Sequence, residues 1–97
     1  MVEGKKPAPR YEVRIKRRVE RGLYKLPLSA QETMDDLLRD LEELGPIRKD
    51  WSNFSSLGKN RYHCHLSGSY VACWTWEKGT TLIEVYYAGS REDAPYK

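Results

Sequence analysis

The chain has 97 residues, room for one domain with a single hydrophobic core and little more. No apolar run approaches the roughly 18 residues that a membrane-spanning helix needs, and the N-terminus lacks the apolar stretch of a secretory leader. Two cysteines are too few for a disulfide scaffold, so the expected setting is a reducing cytoplasm, with no membrane association.

The net charge of +3 conceals segregation. Residues 1–25 carry nine Lys or Arg against three acids, residues 29–45 carry six acids against Arg39, and residues 46–97 carry seven basic and five acidic groups. A basic front segment suggests a polyanionic partner. The bland alternative is solvated charge along strand edges and a helix face.

In chain order, residues 1–10 (M-V-E-G-K-K-P-A-P-R) offer almost nothing to bury and read as a disordered basic arm, which leaves 11–97 as the single domain. Tyr11, Val13 and Ile15 alternate with Glu12, Arg14 and Lys16, the period of a strand with one buried face. Residues 17–25 suit a helical turn or two before Pro27. Ser29 and Glu32 have capping-box spacing, and Met34, Leu37, Leu38, Leu41 and Leu44 follow at helical spacing up to Gly45-Pro46. That predicts an amphipathic helix over 30–44, with Asp36, Asp40 and Glu43 on its solvated side. Residues 46–60 read as irregular, with Trp51, Phe54 and Leu57 as anchors. Strands at about 61–66, 70–76 and 81–88 are separated by Ser67-Gly68-Ser69 and Lys78-Gly79, short turns that predict an antiparallel meander. The expected fold is α+β: an N-terminal strand, one or two helices, then a three-stranded meander with the helices packed on one face.

Pairing Leu66 with Tyr70 across the first turn sorts the side chains. Tyr62, Cys64, Leu66, Tyr70, Ala72, Trp74 and Trp76 then form the core face, and Arg61, His63, His65, Val71, Cys73 and Thr75 form an outward one. Pairing Glu77 with Thr80 adds Ile83, Val85 and Tyr87 to the core, and Leu82, Glu84, Tyr86 and Ala88 to the outward face.

The His-x-His strand admits three readings. Two solvent-facing histidines on a strand are the plainest. A metal site needs three or four ligands, and His63, His65 and Cys73 would require Glu84 to complete the set. An acid–base site uses histidine because its pKa lies near neutrality. RNA cleavage needs a base for the 2′-OH, an acid for the leaving 5′-oxygen and cations for the phosphoryl oxygens, with aromatic rings such as Tyr86 to stack on splayed bases. A Cys73–His63 nucleophilic pair is a further option, but the sequence gives no sign of the orienting group and oxyanion hole that it needs.

The block L57-G-K-N-R-Y-H-C-H-L66 with its tight turn and Tyr70, the last strand running into G89-S-R91, and Tyr96 near the C-terminus together resemble the RelE/ParE superfamily of bacterial and archaeal toxins. The resemblance covers roughly 11–96. It implies the toxin of a type II toxin–antitoxin system, a metal-independent endoribonuclease that cuts mRNA on the ribosome, represses translation and is held inactive by a cognate antitoxin. The family's alternating basic pair falls on His63 and His65, its late arginine on Arg91 and its terminal tyrosine on Tyr96. The arginine after the turn falls on Val71, and Arg61 is the candidate to replace it. On this reading His63, His65, Arg61, Arg91 and Tyr96 are catalytic. Tyr86, Lys59, Arg14, Lys16, Arg18, Arg21 and Lys25 hold RNA. No cofactor is implied, and the location is the prokaryotic cytoplasm. The competing implication is a non-catalytic ParE-like toxin that binds DNA gyrase, or an inactive relative that binds only its antitoxin.

Overall fold

In the computed structural model, which describes residues 10–96, seven elements follow in order: β1 (Glu12–Ile15), α1 (Arg17–Leu23), α2 (Leu28–Leu44), β2 (Ser55–Gly58), β3 (Arg61–His65), β4 (Tyr70–Trp76) and β5 (Leu82–Ser90). The expected arm lies outside the described residues except for Arg10, whose N–H donates to the Glu42 carbonyl at 3.1 Å. The strands form one sheet in the order β1-β5-β4-β3-β2, with β1 parallel to β5 and the other pairs antiparallel.

Leucine spacing builds α2 as expected: Ala30, Met34, Leu37 and Leu41 are buried on the side that meets the sheet. Leu44 departs from the expected stripe and is 57% exposed, because the stripe drifts off the sheet over the last turn. The capping box is also corrected. Pro27, with φ −54°, is the N-cap and has no side-chain bond, so the helix starts earlier and Ser29 falls inside its first turn. The Gln31 Nε2 amide instead donates to the Leu26 carbonyl at 2.8 Å and ties the helix start to the preceding turn. Asp40 is half-buried rather than solvated, since its carboxylate accepts the Trp51 indole N–H at 2.9 Å. Gly45 ends the helix at φ +101°, where a Cβ would lie 2.9 Å from the Tyr11 ring.

The core lies between the helices and one sheet face. Val19, Met34, Leu37 and Leu41 meet Cys64, Leu66, Ala72, Trp74, Ile83 and Val85, and full burial of such side chains is worth roughly 1.5–3 kcal/mol each. Trp74 is its largest buried residue. It stacks near Phe54 and Tyr62, and its indole N–H donates to the Pro46 carbonyl at 3.1 Å.

The β3–β4 register follows the turn as predicted: His65 faces Val71, Cys64 faces Ala72, His63 faces Cys73 and Tyr62 faces Trp74. Three other expectations are corrected. Residues 55–58, expected to be irregular, form a fifth strand, with Ser55 opposite His63. The β4–β5 pairing is shifted by two residues, with Trp76 opposite Ile83, which preserves the faces of 82–85. A bulge between Cys73 and Trp74 pairs then places Tyr87 opposite Cys73 and Ala88 opposite Ala72. Tyr87 therefore leaves the core face, and Ala88 joins it.

Candidate active site

The face opposite the helices is not the open surface expected from alternation alone. His63 is only 7% exposed, and Val71 and Cys73 are fully buried. The segment after β5 folds back along this face. The Arg91 N–H donates to the Ser69 carbonyl at 2.8 Å, Ala94 is buried, and the Tyr96 ring lies 4.5 Å from the His63 ring at 45°. The Tyr87 hydroxyl donates to the Ser90 carbonyl at 2.6 Å and braces the start of that return.

Three rings thus meet at the centre. His63 and His65 are 5.6 Å apart, as side chains two residues apart on one strand should be, and Tyr96 closes on His63. The Nδ1 atom of His63 lies 3.0 Å from the Ser55 hydroxyl on β2. Burial, and secondarily the neighbouring His65, hold the His63 pKa below its usual 6.5, while a hydrogen bond to the Ser55 main chain acts in the opposite sense. His63 is therefore neutral near pH 7. Burial, with Cys73 nearby, raises the Tyr96 pKa and Arg91 lowers it, so this phenol keeps its proton at the same pH. A proton acceptor and a proton donor are in contact.

Arg91 stands beside this group. Its guanidinium lies 3.5 Å from the Gly68 carbonyl, at the β3–β4 turn next to the His65–Val71 pair. The cation at this end of the strands is thus Arg91, close to the position where the resemblance leaves an arginine missing. Arg61 is exposed at the other end of β3, four residues from His65 and so roughly 13 Å away along the strand. It lies instead near Tyr86, whose pKa is pushed up to about 12 chiefly by burial, with Arg61 opposing. Tyr86 also hydrogen-bonds Cys73, whose thiol burial pushes up to about 12. A buried thiol that stays protonated is no nucleophile, which removes the Cys73–His63 pair as an option. Among the described residues no group of three His, Cys, Asp or Glu side chains could hold a metal ion.

The expected RNA-binding residues do not converge on one spot. Arg14 and Lys16 share the histidine face, with Lys16 4.0 Å from Glu84 and Arg14 paired to Glu12 at 2.7 Å. Lys59 is exposed beside β2 at the opposite edge, about 19 Å away across four strand spacings. Arg18 and Arg21 are exposed on α1, and Lys25 just beyond it, in the layer packed on the other side of the sheet. Sequence reasoning missed Ser55 and Tyr87. Ser55 belongs to a four-residue strand with no apolar alternation, and Tyr87 reaches this face only through the bulge.

A five-stranded sheet with two helices on one face, and histidines, arginine and tyrosine gathered on the other, gives a small α+β protein with a RelE-like fold. That fold is borne out by solved structures. A chain of the archaeal RelE–RelB complex from Pyrococcus horikoshii OT3 superposes with a TM-score of 0.69 at 19% identity, over 88% of this chain and 99% of that one. The free-state RelE mutant from E. coli gives 0.66 at 18%, over 93% and 90%. A chain of the YoeB–YefM complex from Staphylococcus aureus gives 0.65 at 9%, over 84% and 98%. No protein-family model and no curated protein matches the sequence. Among the described residues no helix is long and apolar enough to cross a membrane.

Proposed function

We propose that the chain is the toxin of a type II toxin–antitoxin pair and cuts mRNA on the ribosome. The observation that carries this reading is the contact between the His63 and Tyr96 rings, with His65 alongside, on the sheet face of a RelE-like fold. His63 removes the 2′-OH proton, and the freed oxygen attacks the adjacent phosphorus. The bond to the 5′-oxygen breaks, and Tyr96 or His65 protonates that leaving oxygen. Arg91, with Arg61 further along the strand, stabilises charge on the phosphoryl oxygens. Lys59, Arg14 and Lys16 hold flanking backbone, Tyr86 offers a ring to a base, and Arg18, Arg21 and Lys25 extend the positive charge round the β1 edge. No cofactor takes part. The solved relatives that are toxin–antitoxin complexes support a cognate antitoxin partner, whose acidic or amphipathic segment would cover this basic chain.

The test is cleavage on ribosomes programmed with a defined mRNA. The His63→Ala/His65→Ala double variant should remain folded and lose cleavage, and unchanged cleavage would sink the assignment. One observation favours a second reading, a non-catalytic relative that binds antitoxin or gyrase: Val71 is buried where the resemblance expects an arginine. A wild-type protein that halts growth without cutting mRNA would support that second reading.

A further inference from the structure

The Ser55 side chain has no role in the mechanism above, yet it contacts the central histidine. Its Oγ lies 3.0 Å from His63 Nδ1, across the β2–β3 pair that sets these two residues opposite each other. Imidazole offers two nitrogens, and the partner of one decides what the other can do. If Nδ1 carries the proton and donates it to Oγ, then Nε2 has a free lone pair. If the hydroxyl donates to Nδ1, the proton of the neutral ring is on Nε2 and that atom cannot accept another. Only the first arrangement serves a base that works through Nε2. Ser55 is exposed, so its own O–H can be given to water while Oγ accepts from the ring. The ring is further confined by Tyr96 and His65 beside it, and its hydrogen bond to the Ser55 main chain also needs a ring N–H turned toward β2, which favours the same tautomer that the hydroxyl oxygen can accept from.

We infer that Ser55 is a positioning residue for His63: its hydroxyl oxygen, facing Nδ1 across β2 and β3, holds the proton on that nitrogen and leaves Nε2 free to take the proton of the nucleophile. The inference rests on the reading of His63 as the base. It also gives β2 a purpose beyond extending the sheet. This four-residue strand, with only Leu57 half-buried, brings the orienting group to the histidine.

The test separates the contact from the activity. Nitrogen-15 spectra of histidine-labelled protein at pH 7.5–8, without RNA or ribosomes, report which ring nitrogen bears the proton. The expected result is an Nδ1–H His63 in the wild type, a shift towards Nε2–H in Ser55→Ala, and restoration in Ser55→Thr. On programmed ribosomes, Ser55→Ala should lower kcat roughly 10-fold with little change in KM, a part of the ~10²–10⁴ that acid–base catalysis contributes. Ser55→Thr should recover it. An Nε2–H His63 in the wild type, or a tautomer unmoved by Ser55→Ala, overturns the inference whatever the activity. A protein that shows the tautomer switch but cuts no mRNA keeps the Ser55–His63 contact and overturns the nuclease reading instead.

Discussion

Gly89 gives the sharpest test of how the histidine face is assembled. It is buried in β5 opposite Val71, two residues beyond Tyr87 and on the same side of the sheet. A Cβ at this position would stand 3.1 Å from the Tyr87 hydroxyl oxygen and 3.3 Å from its ring carbon Cζ, tighter than ordinary contact. The hydroxyl cannot simply step aside, because it donates to the Ser90 carbonyl at 2.6 Å. Gly89→Ala therefore either compresses the ring contact or breaks that bond. Overpacking costs about 1–3 kcal/mol and a lost hydrogen bond about 0.5–1.5, so a loss near 2 kcal/mol is expected. For a domain of this size that lowers Tm by roughly 10 °C. Urea and thermal unfolding of Gly89→Ala, Tyr87→Phe and the double variant should show coupling, because Tyr87→Phe removes the nearest clashing atom. The double variant should cost less than the two single changes combined. Strict additivity, or a Gly89→Ala variant within ~0.5 kcal/mol of wild type, would refute the argument that Tyr87 is a fixed brace.

Three further outcomes are expected. The folded-state pKa of His63 lies below 6.5, so between that lower value and 6.5 the unfolded chain binds more protons than the native one. This group's contribution to stability is full above about pH 7 and is lost as pH falls through 6.5 toward the native value. A smaller drop in Tm from pH 8 to pH 5 in His63→Gln than in wild type would confirm it, and an identical drop would not. Tyr96→Phe keeps the ring against His63 but has no proton to give, so stability should hold while cleavage falls on the order of 10²-fold or more. Full activity in that variant would move the acid role to His65. Trp74→Phe leaves the buried Pro46 carbonyl without its donor and should destabilise by about 1–3 kcal/mol in urea unfolding.

The legible parts of the sequence were those governed by local rules. Leucines at helical spacing built α2, and Ser67-Gly68-Ser69 set the β3–β4 register residue by residue, placing His63 and His65 on the face opposite the core. The missed parts depend on contacts distant in sequence or on local geometry that leaves no pattern. Ser55–Gly58 has no apolar alternation, and it is a strand because the β3 edge offers hydrogen bonds. The bulge that turns Tyr87 away from the core leaves no mark in the alternation of residues 82–88. Alternation also could not show that residues 91–96 fold back and bury His63. The candidate site was thus half legible: the placement of the histidines followed from the hairpin, while Ser55 and the bracing Tyr87 required the tertiary fold.

The central claim is that His63 and its neighbours direct a 2′-OH onto the adjacent phosphorus. The most direct measurement is the chemistry of the ends left on mRNA cut on programmed ribosomes. The mechanism predicts a 2′,3′-cyclic phosphate on the upstream fragment and a 5′-OH on the downstream one, with neither formed by the His63→Ala/His65→Ala variant. Downstream fragments bearing a 5′-phosphate, or cleavage that persists without both histidines, would contradict it.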